Sequence, residues 1–260
     1  MRFNYKTTSF SKDNLAYLAY CAKLVYKEEP EIQQELKEGG ENVEVINNSD
    51  TDTQCLLIGD KDKIIIAFRG SATLTNWKKN AEIFKEDWVK GTKIHQGFYE
   101  SFNSVWVELR QKIIELRTEH QSIWFTGHSL GGALAMLAAT KMFLRNPDNV
   151  HGVYTFGQPR VGDYKFADFY DSVLKDRTYR VVNNNDVVTR IPFQNMGYSH
   201  VDRLLYFSED GKLHTDDDLS WWGKFWDRVR GRIDDLLEPG LDGVKDHSMS
   251  IYCKLAQSIQ

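Results

Sequence analysis

Hydrophobic positions along the chain recur with two periods, and the change from one to the other outlines the fold. Leu15, Leu18, Ala22 and Val25 follow Ser11 and Asp13 at helical spacing, which predicts an amphipathic helix of about four turns before Pro30. The charged stretch from there to Gly39 and Gly40 reads as solvated. Three short apolar runs come next, VEVIN (43–47), QCLLIGD (54–60) and KIIIAFRG (63–70), separated by turn formers such as Asn48, Asp50 and Gly59-Asp60. The third shows no alternation, as expected of a strand buried on both faces.

Phe98, Phe102, Val105, Trp106, Leu109, Ile113 and Leu116 then make one apolar helical face. SIWFTG (122–127) is the next strand, followed by a helix over 130–145, a strand VYTF (153–156), a helix over 162–175 and a strand YRVV (179–182). Strands alternating with helices predict the α/β class, with a mostly parallel central sheet covered by helices on both faces. Without an internal repeat or a clean linker, residues 1–260 are expected to form a single domain.

Composition narrows the function classes. At 260 residues the chain can bury roughly 70–75% of its unfolded surface. A formal net charge of -4 gives no global footprint for nucleic acid. The opening MRFNYKTTSFSKD has no signal-peptide core, and no segment approaches the roughly 20 apolar residues of a membrane span, so a cytoplasmic chain is expected. Cys21, Cys55 and Cys253 are odd in number and far apart, the pattern of buried reduced thiols and not of a disulfide framework or a metal site.

The chemistry concentrates at FTGHSLGGA (125–133), where an apolar strand gives way to a helix. Gly127-His128-Ser129-Leu130-Gly131 matches G-x-S-x-G, a turn so sharp that glycines are needed on either side of the serine. It would lift the Ser129 hydroxyl clear of the sheet, beside helix N-terminal N–H groups that favour developing negative charge. The plain structural alternative makes Ser129 a helix N-cap. His128, adjacent in sequence, is expected to point away from the hydroxyl and to pack.

A serine nucleophile needs a base and a group that orients the base. Asp186 in RVVNNNDVVTRIP lies just beyond a strand and is the candidate acid, although it would equally close an Asx turn; Asp163 and Asp168 are weaker rivals. His247 in VKDHSMSIY is the preferred base, being late in the chain as the order Ser, acid, His requires; His200 is its rival. Leu130, after the nucleophile, and Ser71, after the strand KIIIAF, are the candidate oxyanion-hole donors.

Several stretches together resemble the class 3 lipases, the family of the fungal triacylglycerol lipases. They are AFRGSATLTNW, HQGFYESF, FTGHSLGGALAML, TFGQPRVGDYKFADFY, RVVNNNDVVTRIP and DHSMSIY, in the family's order over about residues 55–252. The resemblance implies an α/β-hydrolase fold and hydrolysis of glycerolipid carboxylic esters without metal or organic cofactor. It implies Ser129 as nucleophile, Asp186 as acid, His247 as base and Ser71 with Leu130 as oxyanion hole. Asn76, Trp77 and Phe84 fall where the family carries its lid, so a lid-like segment is expected near 72–88.

A departure from that pattern is the long segment near 208–245. There SWWGKFWDRVRGRIDDLL sets Trp222, Phe225, Trp226, Val229, Ile233 and Leu236 on one helical stripe, with Lys224, Arg228, Arg230 and Arg232 on or flanking the other side. Two readings stand: a helix lying in an anionic membrane interface, or a helix packed on the core with solvated arginines. The expected activity is that of a lipid acyl-hydrolase, of lipase, phospholipase A or galactolipase type. A soluble short-chain esterase and a catalytically silent lipase-like interaction module are the alternatives.

Overall fold

The computed structural model describes residues 1–37, 40–71, 84–118, 120–215 and 241–259. An eight-stranded sheet organises them, in the order β1 (Asn42–Asn48), β2 (Thr53–Gly59), β3 (Lys63–Phe68), β6 (Ser122–His128), β7 (Gly152–Phe156), β8 (Thr178–Asn183), β9 (Leu204–Phe207), β10 (Leu213–His214). Strands β3, β6, β7, β8 and β9 run parallel. β1, β2 and β3 pair antiparallel at one edge, and β9 and β10 at the other. A separate ribbon joins β4 (Lys85–Asp87) to β5 (Lys93–His95), strands too short and charged to carry a periodic signal.

Both faces of the sheet are covered, which is why its central strands lack alternation. In β2 and β3, Leu57, Ile64, Ile66 and Phe68 enter one apolar cluster, while Leu56, Ile58, Ile65 and Ala67 enter the other. The first cluster receives Phe98, Phe102, Val105, Leu109 and Ile113 from α3 (Gln96–Leu116), and Ala133 to Ala139 with Met142 from α4 (Leu130–Arg145). Phe166, Ala167, Tyr170 and Leu174 come to it from α5 (Tyr164–Leu174). The second is closed by α1 (Lys12–Leu24) and by Met249, Tyr252, Cys253 and Ala256 of α7 (Met249–Ser258), which follows the short α6 (Leu241–Lys245). Each fully buried aliphatic side chain contributes roughly 1.5–3 kcal/mol.

The charged stretch after Pro30 is not simply solvated. It forms α2 (Glu29–Lys37), which buries Ile32 and Leu36 in the second cluster and leaves its acids outside. Pro30 sits in the first turn, where a missing N–H costs nothing, so it opens this helix besides following the previous one. Residues 84–88 of the expected lid-like segment belong to the start of the β4 ribbon, with Phe84 exposed. The remaining lid and interface residues, Asn76, Trp77, Trp222, Phe225 and Trp226, lie outside the described residues. No described helix is long and apolar enough to cross a membrane.

Candidate active site

Strand register gathers the candidate residues. Phe68 pairs with Gly127, His128 with Phe156 and Phe156 with Val181, so the carboxyl ends of β3, β6, β7 and β8 form one row. The residues just beyond that row, Gly70-Ser71, Ser129, Gly157 and Asp186, therefore share one edge of the sheet, where open α/β sheets bind ligands.

Ser129 occupies the turn between β6 and α4 with φ 58° and ψ -129°, a conformation that L-residues rarely adopt. It stands at the N-cap position, yet its side chain makes no capping hydrogen bond, so the hydroxyl is not spent on the helix. Backbone crowding explains the glycines. A Cβ on Gly127 would lie 2.3 Å from the Gly131 carbonyl, and one on Gly131 would lie 2.1 Å from the Phe68 oxygen. The Ser129 N–H donates to Phe156 O at 2.9 Å, which ties the turn to β7. Leu130 opens α4, so its N–H belongs to the first turn, whose donors have no intrahelical acceptor. Gly70 brings the other loop alongside: a Cβ built there would sit 3.1 Å from Ser129 Cβ, and Ser71 follows it directly.

Asp186 and His247 form a buried pair, 1% and 2% exposed. His247 Nδ1 lies 2.8 Å from Asp186 Oδ2 and 3.0 Å from Oδ1. A carboxylate only accepts, so Nδ1 carries the proton and Nε2 of the neutral ring is left as the basic atom. That Nε2 is buried and has no hydrogen-bond partner among the described residues. Gly157, with φ 57°, floors the pair: a Cβ there would come within 2.7 Å of Asp186 Oδ2 and 2.9 Å of His247 Nδ1.

The carboxylate also accepts from the Val188 N–H at 2.9 Å, so the Asx-type turn and the contact to histidine coexist on one side chain. The rivals are engaged elsewhere. Asp163 caps α5 through the Phe166 N–H, Asp168 is exposed, and His200 Nε2 lies 2.5 Å from Thr189 O. Burial, with Arg180 and Arg160 nearby, holds the His200 pKa well below its ordinary value.

Three groups that the sequence does not point to complete the surroundings. Tyr252 donates its hydroxyl to Asp186 Oδ2 at 2.6 Å and receives the Asn183 N–H at 2.9 Å. Burial and the adjacent carboxylate push its phenol well above the usual range, so it remains a donor. Asp246 clamps the asparagine loop, its carboxylate taking the Asn184 amide and the Asn185 N–H, each at 3.1 Å. His128 does more than pack: its ring lies 4.4 Å from the His247 ring, and its Nε2 is 2.7 Å from the His247 carbonyl oxygen. The only signal for Tyr252 is its place on the buried stripe of α7, and core packing alone would account for that.

A mostly parallel sheet with a serine turn after its central strand and an acid–histidine pair beside it defines the α/β-hydrolase fold. Comparison with known proteins takes this one step further: the model of the class 3 lipases matches residues 65–196, about half of the chain, and the chain belongs to that family. The lipase of Rhizomucor miehei is 35% identical over 162 residues, covering 58% of this chain and 44% of that protein. The secreted mono- and diacylglycerol lipase 1 of Fusarium solani is 34% identical over 160 residues, covering 60% and 47%. The solved structure of Rhizomucor miehei triacylglyceride lipase superposes with a TM-score of 0.65 at 27% identity, covering 77% of this chain and 81% of that one. The chain spans about half the length of the curated relatives it matches.

Proposed function

We propose that this chain is a serine hydrolase that cleaves carboxylic ester bonds of glycerolipids through an acyl-enzyme. The observation that carries the reading is the strained Ser129 turn, with a hydroxyl left out of helix capping, on the same sheet edge as the buried Asp186–His247 pair. Ser129 Oγ attacks the ester carbonyl carbon and gives its proton to His247 Nε2. The tetrahedral oxyanion is met by donors from Leu130 and Ser71. The carbon–oxygen ester bond then breaks, and the proton on Nε2 passes to the departing alcohol. Water repeats the sequence in reverse: Nε2 takes its proton, the acyl carbon receives its oxygen, and Ser129 leaves with the proton. Asp186 orients the imidazole and offsets its charge.

Glycerolipid substrates are supported by the names of the relatives, which include triacylglyceride and mono- and diacylglycerol lipases. A serine-directed fluorophosphonate is expected to label the wild type and not Ser129→Ala. Labelling at another residue, or a fully active Ser129→Ala, overturns the mechanism. Rates on esters of graded acyl length, with and without anionic vesicles, test the substrate class; no gain from long chains or vesicles favours a short-chain esterase instead.

The proposal extends to peripheral binding at an anionic lipid surface, with Trp77, Trp222, Phe225 and Trp226 meeting the interface. Its support is the pattern of tryptophans opposite arginines in the sequence. Trp222→Ala with Trp226→Ala is expected to weaken vesicle binding and spare a short soluble ester. Equal losses on both would mean that the segment packs on the core. A cytoplasmic site of action is also proposed, in contrast to the relative named as secreted. Cys21, Cys55 and Cys253 are buried free thiols, as a reducing compartment keeps them. Fractionation of the producing cells checks this, recovery from the medium being the opposing result.

A further inference from the structure

We propose that His128 and Tyr26 form a positioning strut that holds the base and the oxyanion loop in register with Ser129; the role rests on the serine-hydrolase reading above. Three hydrogen bonds build it. The Gly70 N–H donates to the Tyr26 hydroxyl at 3.1 Å, Tyr26 lies 2.9 Å from His128 Nδ1, and His128 Nε2 lies 2.7 Å from the His247 carbonyl oxygen. These bonds join segments 44, 102 and 119 residues apart, so no local sequence preference produces them. Although 38% of the Tyr26 surface is exposed, its hydroxyl reaches inward to both partners.

For a neutral His128 ring the proton order is unique. A carbonyl only accepts, so Nε2 must carry the proton, and Nδ1 is then an acceptor. Tyr26 therefore donates to Nδ1 while its oxygen accepts from Gly70. Every bond in the chain depends on the next, and a neutral ring is what the surroundings favour: burial and the neighbouring His247 push the His128 pKa well down.

Close packing gives the strut its leverage. At Gly70 a Cβ would stand 2.3 Å from the Tyr26 hydroxyl, 2.6 Å from the His128 carbonyl oxygen and 3.1 Å from Ser129 Cβ, so the loop leading to Ser71 is seated between tyrosine and elbow. At the other end the bond to the His247 backbone fixes the height of the base above the turn, and the rings lie 4.4 Å apart at 33°. His247 gains a proton in each half-reaction, and the ring stacked against it is uncharged, leaving Asp186 to offset that charge. One buried residue on the nucleophile's own turn thus sets nucleophile, base and oxyanion loop relative to one another.

The test is turnover of a short soluble ester, normalised to the fraction of full-length enzyme that a fluorophosphonate finally titrates. His128→Phe keeps the ring and removes both hydrogen bonds; it is expected to lower turnover per titrated site by about 30- to 100-fold, with KM within about twofold, as a misplacement near 1 Å would. His128→Gln, which retains a donor and an acceptor, is expected to recover most of that loss. Tyr26→Phe leaves the bond to His247 and is expected to lose about 5- to 10-fold. Wild-type turnover per titrated site in His128→Phe, with only the titratable fraction or the melting temperature reduced, overturns the strut and leaves a packing role. Should His128→Phe fail to fold, Tyr26→Phe decides by the same normalised measure. A wild type that the probe does not label at Ser129 defeats the hydrolase reading itself, a result distinct from either.

Discussion

The turn that carries Ser129 and the loop that carries His247 meet at one site, but they are held by different physics. At the turn, backbone presses on backbone within six residues, Gly127 against Gly131 and Gly132, and Gly131 is also held against the end of β3. Its geometry is the sterically allowed path from β6 into α4, and the short-range pattern of glycines fixes it. The loop that carries His247 has no such steric constraint within itself. His247 is placed by Asp186, 61 residues away, and by His128, 119 residues away, while Asp246 holds the asparagine loop from the same stretch. Steric exclusion thus shapes the Ser129 turn, and long-range hydrogen bonding places His247.

Breaking the chemistry on the two sides separates them from the surrounding structure. Ser129→Ala is expected to lower kcat on a short ester by roughly ten-thousand- to million-fold with the melting temperature little changed, and steady-state kinetics beside calorimetry check both. Asp186→Asn is expected to lower kcat by about ten-thousand-fold, because an amide no longer selects the tautomer with the proton on His247 Nδ1. A loss below about tenfold would show that Asp186 does not orient the base.

The steric side breaks through stability instead. Gly127→Ala forces a Cβ to within 2.3 Å of backbone and is expected to cost at least about 3 kcal/mol in urea unfolding. Unchanged stability would mean that the turn has slack. Acid is expected to weaken the fold as well. His128 and His200 are buried with pKa values well below 6.5, so below that pH the unfolded chain binds protons that the folded chain does not. Stability then falls as pH drops, by up to about 1.4 kcal/mol per pH unit for each imidazole. Chemical denaturation between pH 7.5 and 5 reads this, and a flat profile would mean that both rings take up protons in place. The smallest expected effect belongs to the hydrogen-bonded side: Tyr252→Phe leaves Asp186 its other two donors and should cost about 1–2 kcal/mol of stability and roughly tenfold in kcat.

The same division explains what the sequence made legible. Elements with a strong period were readable, and the helix expected at 130–145 is α4, Leu130–Arg145. The apolar runs from VEVIN to YRVV are strands of the main sheet, and those from QCLLIGD onward are buried on both faces, which leaves a near-continuous apolar signature. α2 was hidden by its acids, since Ile32 and Leu36 make only a faint stripe, and the β4 ribbon by its three-residue strands. Among the functional groups, Ser129 shows in the glycines around it, while Asp186 and His247 needed chain order and family resemblance to separate them from Asp163 and His200.

By itself, then, the sequence determined the strongly patterned strands and helices, the sharp serine turn and the class 3 lipase motifs, because each rests on residues close together in the chain. The tertiary structure alone decided that Asp186 serves an Asx-type turn and His247 together, and that Tyr252 supports the carboxylate. It alone brought His128 and Tyr26 between His247 and the loop at Gly70. The reason is directional: hydrogen bonds between polar side chains depend on angstrom-scale placement, and a chain acquires that placement only when sheet register brings distant loops to one edge.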